Sequence, residues 1–175
     1  SSARRAGGSV WISEERIDAI RERVVQRVEP TYSAWRQLEQ YVREHRGHAP
    51  RVPKQWYVPG FYVDAQGHRQ AKEGLMQDAN TAYAFALYAR LGGDPNYSGA
   101  AAEIIRAWST RLESTSDQDD STLSFSYHFP AMLFAADLLR DTDAWSDRDE
   151  RAFRAFLRDK ARSEERRVGK ECATG

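Results

Sequence analysis

The most constraining part of the chain runs from Ala71 to Trp108. Leu75, Ala79, Ala82-Tyr83, Ala86-Leu87 and Leu91 recur at the three-and-four spacing of one helix face. Many of these residues are small, which lets a neighbouring helix approach closely. Gly92-Gly93 ends the run. Asp94 then caps a new helix, with Pro95 at its first position, where a missing N–H is harmless. Tyr97, Ala101, Ile104-Ile105 and Trp108 form the apolar face of this second helix. Two apolar stripes joined by Gly-Gly-Asp-Pro give a tight hairpin of antiparallel helices.

The rest of the chain follows the same grammar. Ser13 is an N-cap, with Glu14 and Glu15 at the positive end of a helix whose stripe is Ile17, Ile20, Val24, Val25 and Val28. Pro30 interrupts it. Tyr32, Trp35, Leu38 and Tyr41-Val42 mark a second helix, which ends at His45-Arg46-Gly47-His48 and Pro50. Residues 50–70 hold Pro50, Pro53, Pro59, Gly60 and Gly67, which exclude a regular helix, and yet also Trp56, Tyr57, Phe61 and Tyr62. An aromatic-rich loop is unusual, because loops are normally polar. After the polar stretch Ser114–Ser121, the residues Phe125, Phe129, Met132-Leu133, Ala136 and Leu139 form another stripe. Ser146 caps a last helix, with Phe153, Phe156 and Leu157 inside. No stretch alternates as a strand does. The expected class is all-α, built of antiparallel helical hairpins, which suits a helical toroid or an α-solenoid.

Charge narrows the function. Lys and Arg total 26, as do Asp and Glu, for a formal net charge of zero. That argues against a nucleic-acid partner held by phosphate neutralisation. No run approaches the roughly 20 apolar residues of a membrane span. The single Cys, Cys172, excludes a disulfide framework within one chain. The first ten residues read as a flexible lead-in without the apolar core of a signal peptide.

Several residues are candidates for chemistry. Ser124-Phe125-Ser126-Tyr127-His128-Phe129-Pro130 sets a Tyr beside a His, just before a helix. The two side chains form an acid/base toolkit, or a hydrogen-bonded pair at a helix start. Trp56 and Tyr57 offer flat faces on which a sugar ring could stack, or simply core. Asp78 and Asn80 follow on the next helix, Asp78 facing a cleft or pairing with Arg. Asp117, Asp119 and Asp120 form an acidic loop, read as solvated rather than calcium-binding. His45 and His48 read as a surface helix end. No metal-ligand spacing, phosphate loop or nucleophile elbow is present.

Residues 56–108, WYVPGFYVDAQGHRQAKEGLMQDANTAYAFALYARLGGDPNYSGAAAEIIRAW, resemble the alginate lyase domain family of polysaccharide lyases. So do residues 119–141, DDSTLSFSYHFPAMLFAADLLRD. The resemblance implies an (α/α) toroid in a bacterial, periplasmic or secreted enzyme. It implies an acidic polysaccharide as partner, no cofactor, no metal, and no membrane or nucleic-acid partner. Such lyases cleave uronate polymers of the alginate or glucuronan type by β-elimination. A preorganised donor must neutralise the uronate carboxylate, at about 3–4 kcal/mol. A Tyr or His takes the C5 proton, and a Tyr protonates the leaving oxygen. A free Tyr titrates near about 10, so a Tyr base needs positive charge nearby.

Mapped onto this chain, Tyr127 and His128 are the catalytic candidates, and Trp56, Tyr57 and Asn80 the substrate-binding ones. The family's carboxylate-neutralising Asn is expected downstream of Lys160, where ARSEERRVGKECATG stands instead. The expected organisation is therefore a lead-in at 1–10, the N-terminal part of a toroid at 11–160, and a non-native tail at 161–175, the fragment being inactive by itself. Two other classes stay open. A glycoside hydrolase needs two carboxylates about 5–9.5 Å apart across one sugar bond. A helical-repeat adaptor needs only a concave protein-binding face.

Overall fold

A computed structural model describes residues 11–173; among residues 161–172 only Arg162 and Gly169 have described side chains. The 1–10 lead-in and the side chain of Cys172 lie outside the described residues. Seven helices are present among them: α1 (Glu14–Val25), α2 (Thr31–Glu44), α3 (Ala65–Arg90), α4 (Asn96–Arg111), α5 (Ser121–His128), α6 (Pro130–Leu139) and α7 (Asp147–Ala173). The fold is all-α, as the periodicity requires. The one sheet among the described residues is a minimal parallel pair, β1 (Gln55–Trp56) and β2 (Ser114–Thr115).

The hairpin of α3 and α4 is the centre. α3 packs against both α4 and α6, so its small-residue stripe is covered on two sides. Ala79, Ala82, Ala101 and Ile105 are fully inaccessible. Gly92 turns the chain with φ of +105°, a left-handed conformation in which a side chain would be strained. The Asp94 carboxylate accepts a bond from Asn96 N at 2.9 Å, but α4 starts one residue later than expected, with Pro95 in the cap position. α7 packs on α4 and carries Phe153 and Phe156 into the same core. Its backbone continues helically through residues 161–173.

Three expectations need correction. Helix α3 begins at Ala65, inside the stretch from which Pro and Gly were expected to exclude helix. Asp64 explains this, because its carboxylate caps Gly67 N at 2.9 Å. A Cβ on Gly67 would fall 2.1 Å from that same carboxylate, so glycine is what lets this cap form. The stripe of α1 is mostly not core. Ile17 is buried, but Val25 is 82% exposed. The single stripe expected from Phe125 to Leu139 is two helices, broken where Pro130 starts α6. Tyr127 and His128 thus end a helix of their own.

The start of α7 is held by a reciprocal cap. Ser146 Oγ accepts from Asp149 N at 3.1 Å, and Asp149 Oδ2 accepts from Ser146 N at 3.1 Å. Arg106 on α4 donates to the same carboxylate through Nε at 2.8 Å and Nη2 at 3.1 Å. The Arg106 bonds outweigh the opposing effect of burial, and the Ser146 bonds help; together they hold the Asp149 carboxyl at about 2, against an ordinary 3.8. A depressed carboxylate stabilises the fold above its unfolded pKa and loses that contribution as pH falls. Arg106→Gln should therefore remove stability above about pH 4 and leave it nearly unchanged near pH 2. Melting temperature measured across that interval checks it, and equal loss at both ends would contradict it.

Candidate functional site

The aromatic loop and α5 form one unit. Trp56 is 1% exposed, and its indole N–H donates to the Ser121 carbonyl at 2.8 Å. Its ring meets Trp108 and Phe125 edge-on, at 6.2 and 5.8 Å between centroids. Ser121 Oγ accepts from Val58 N at 2.8 Å. Trp56 therefore has no open face for a sugar. It is the core anchor that ties the loop to α5, a correction to its expected place as a subsite wall.

The next residues reach the surface. Tyr57 is 43% exposed, Phe61 45% and Tyr62 fully. Tyr57 donates its hydroxyl to Asp119. That bond, with a smaller effect of burial, raises the Tyr57 pKa above its ordinary value, so Tyr57 stays a neutral phenol and is no base. Asp120 accepts from Phe61 N at 3.1 Å and lies 3.2 Å from His68 Nδ1. Asp119 and Asp120 are thus the fasteners of the aromatic loop. No group of three or more potential metal ligands occurs among the described residues.

At the other end of α5 stand the two catalytic candidates. Tyr127 is 79% exposed. His128 is half-buried, and the two rings meet edge-to-face at 5.0 Å. Burial, assisted by the positive charge of Lys72 on α3, pushes the His128 pKa below its usual 6.5. His128 is accordingly a neutral imidazole near pH 7, able to accept a proton. Lys72 was not singled out from sequence; only its helical register, two turns before Asn80, marks it. Asn80 is exposed on α3, and no hydrogen bond joins it to Tyr127 or His128 among the described residues.

Asp78 lies on the opposite side of α3 and is fully buried. Its carboxylate accepts from His48 Nε2 at 2.6 Å, Arg51 N at 2.8 Å and Trp108 Nε1 at 2.8 Å. The expectation of a cleft or an Arg side-chain pair gives way to a structural hub. His48, expected at the surface, has a side chain only 14% exposed because Asp78 draws it inward. This hub pins residues 48–51, from which the chain enters the aromatic loop.

A larger cavity than that beside α5 lies elsewhere. It measures about 660 Å³, sits among α1, α2 and the end of α3, and is lined by Ile20, Trp35, Leu38 and Leu87. None of the candidate residues lines it.

A largely helical scaffold thus presents exposed aromatics at one end of α5 and a Tyr-His pair with an adjacent cation at the other. The family model for alginate lyase matches residues 26–173, and the chain belongs to that family, one of polysaccharide lyases. The match extends through the helical segment at 161–173. Comparison with curated proteins and with solved structures finds no match. No helix among the described residues is long and apolar enough to cross a membrane.

Proposed function

We propose that this protein acts on a uronate-containing polysaccharide of the alginate or glucuronan type, by β-elimination, on an (α/α) toroid working in the periplasm or outside the cell. The observation that carries the reading is the end of α5. There Tyr127 is open to solvent beside an imidazole kept neutral by burial and by Lys72. In this reading the imidazole or the phenol takes the C5 proton, and the phenol returns a proton to the departing glycosidic oxygen. The C4–O bond breaks, the sugar that lost its C5 proton keeps a new double bond between C4 and C5, and the other fragment leaves with the protonated oxygen as its reducing end. Tyr57 and Phe61 supply flat faces for flanking sugars, and Asn80 a polar contact.

On this reading the chain turns over slowly by itself. The family pattern calls for a carboxylate-neutralising Asn after Lys160, and no Asn follows Lys160 in the sequence. Mass spectrometry of polymer incubated with the protein tests the reaction class. Elimination gives unsaturated products one water lighter than hydrolysis would give. Saturated products with a new reducing end would replace the lyase reading with a glycoside hydrolase.

The pH profile follows from His128. Its lowered pKa means that the base form persists below the usual imidazole range. The acidic limb of the rate profile should therefore fall below pH 6.5. In Lys72→Met the limb should move upward, because the positive charge that disfavours imidazolium is gone. An acidic limb that stays in place on this substitution would exclude His128 as the titrating base.

A further inference from the structure

Two lysines stand near the end of the short helix α5. Lys72 is half-buried on α3, which packs against α5, and its charge acts on His128. Lys160 belongs to α7, and its ammonium lies 5.0 Å over the Phe156 ring. Lys160 also lines a cavity of about 310 Å³, with Phe125, Ser126, Phe129 and Pro130 among its walls. Those four residues bracket Tyr127 and His128 in the chain. Neither ammonium has a carboxylate within ion-pairing distance among the described residues. Phe125 and Phe129 stack at 4.7 Å and give the cavity a flat apolar wall.

A half-buried ammonium without a carboxylate is costly unless an anion comes to it. Burial lowers the Lys160 pKa, with the Asp159 charge opposing. The chain has only four lysines against many arginines, and Lys72 and Lys160 are two of them. We propose that Lys72 and Lys160 are the carboxylate-binding residues of a polyanion path that crosses the end of α5 over Tyr127, each ammonium pairing with the carboxylate of a different sugar of one uronate chain. This rests on the uronate-polymer reading and extends it to the residues that recognise the charge. The Phe125–Phe129 wall takes the apolar face of the sugar held at Lys160, and the Ser126 hydroxyl can donate to it. Tyr127 then lies between two bound sugars, where the bond to be cleaved must be.

The test is binding, measured apart from turnover. Polyguluronate and polyglucuronate are titrated into the protein by calorimetry, alongside the same polymers with their carboxylates reduced to alcohols. Lys72→Gln and Lys160→Gln should each weaken binding about fivefold, the upper range for an exposed ion pair, and the double variant by more than either. Lys72→Arg and Lys160→Arg keep the charge and should retain most of the affinity. Melting temperature of each variant separates lost binding from lost folding. Raised salt should weaken wild-type binding, and the carboxyl-reduced polymers should bind poorly. Unchanged affinity in both Gln variants would overturn the lysine path and leave the uronate reading standing. Failure of the wild-type chain to bind any uronate polymer, or equal affinity for the reduced polymers, would overturn both.

Discussion

Asp78→Ala is expected to destabilise the fold by about 3–5 kcal/mol, the range for removing one partner of a buried charged pair. The carboxylate is fully buried and accepts three hydrogen bonds. Its loss takes the acceptor from His48 Nε2, Arg51 N and the buried Trp108 indole N–H. Each orphaned donor costs about 1–3 kcal/mol. A cavity opens as well beside Trp108 and Leu75, both inaccessible to solvent. Asp78→Asn keeps the shape and one acceptor oxygen, so it should lose less than Asp78→Ala. Urea unfolding of the three proteins measures this. A cost below about 1 kcal/mol for Asp78→Ala would mean that the hub is not what holds residues 48–51 to α3.

The second large effect is on chemistry. Tyr127→Phe removes the exposed hydroxyl at the end of α5 and leaves the ring. General acid–base groups contribute about 10²–10⁴-fold, so turnover should fall by that factor. Melting temperature should hardly change, because Tyr127 is 79% exposed and its ring meets His128 edge-on. Tyr57→Phe is the control. Its hydroxyl is committed to Asp119, which raises its pKa, so this change should alter polymer binding more than rate. Accumulated unsaturated product, followed over long incubation, gives both rates. Equal turnover by Tyr127→Phe and the wild-type chain would remove Tyr127 from the reaction.

The α3–α4 hairpin was legible because its signals are local. The small-residue stripe, Gly92 and Asp94-Pro95 all act within a few residues of where they stand. The class of the fold followed, and with it the caps at Ser13 and Ser146. What escaped depended on partners far along the chain. His48 reads as a surface residue until Asp78, 30 residues on, is known to bury it. Trp56 reads equally as a sugar platform or as core, and the carbonyl that decides is 65 residues away at Ser121. Val25 fits the α1 stripe and is still exposed, since α1 finds its main contacts on α2 alone. The candidate site was half visible. Residue type singled out Tyr127 and His128, whereas Lys72 and Lys160 carry no motif and emerge only from where α3 and α7 stand around α5.

The central claim is that the surface around α5 is where a uronate polymer binds. Nuclear magnetic resonance of the isotope-labelled protein, titrated with short alginate and glucuronan oligosaccharides, tests it most directly. The account predicts that the shifted signals are those of Tyr57, Phe61, Tyr127, His128 and the flanking Lys72 and Lys160, while Ile20, Trp35 and Leu38 around the larger cavity stay still. Shifts centred on that cavity, or none at all at saturating oligosaccharide, would contradict it.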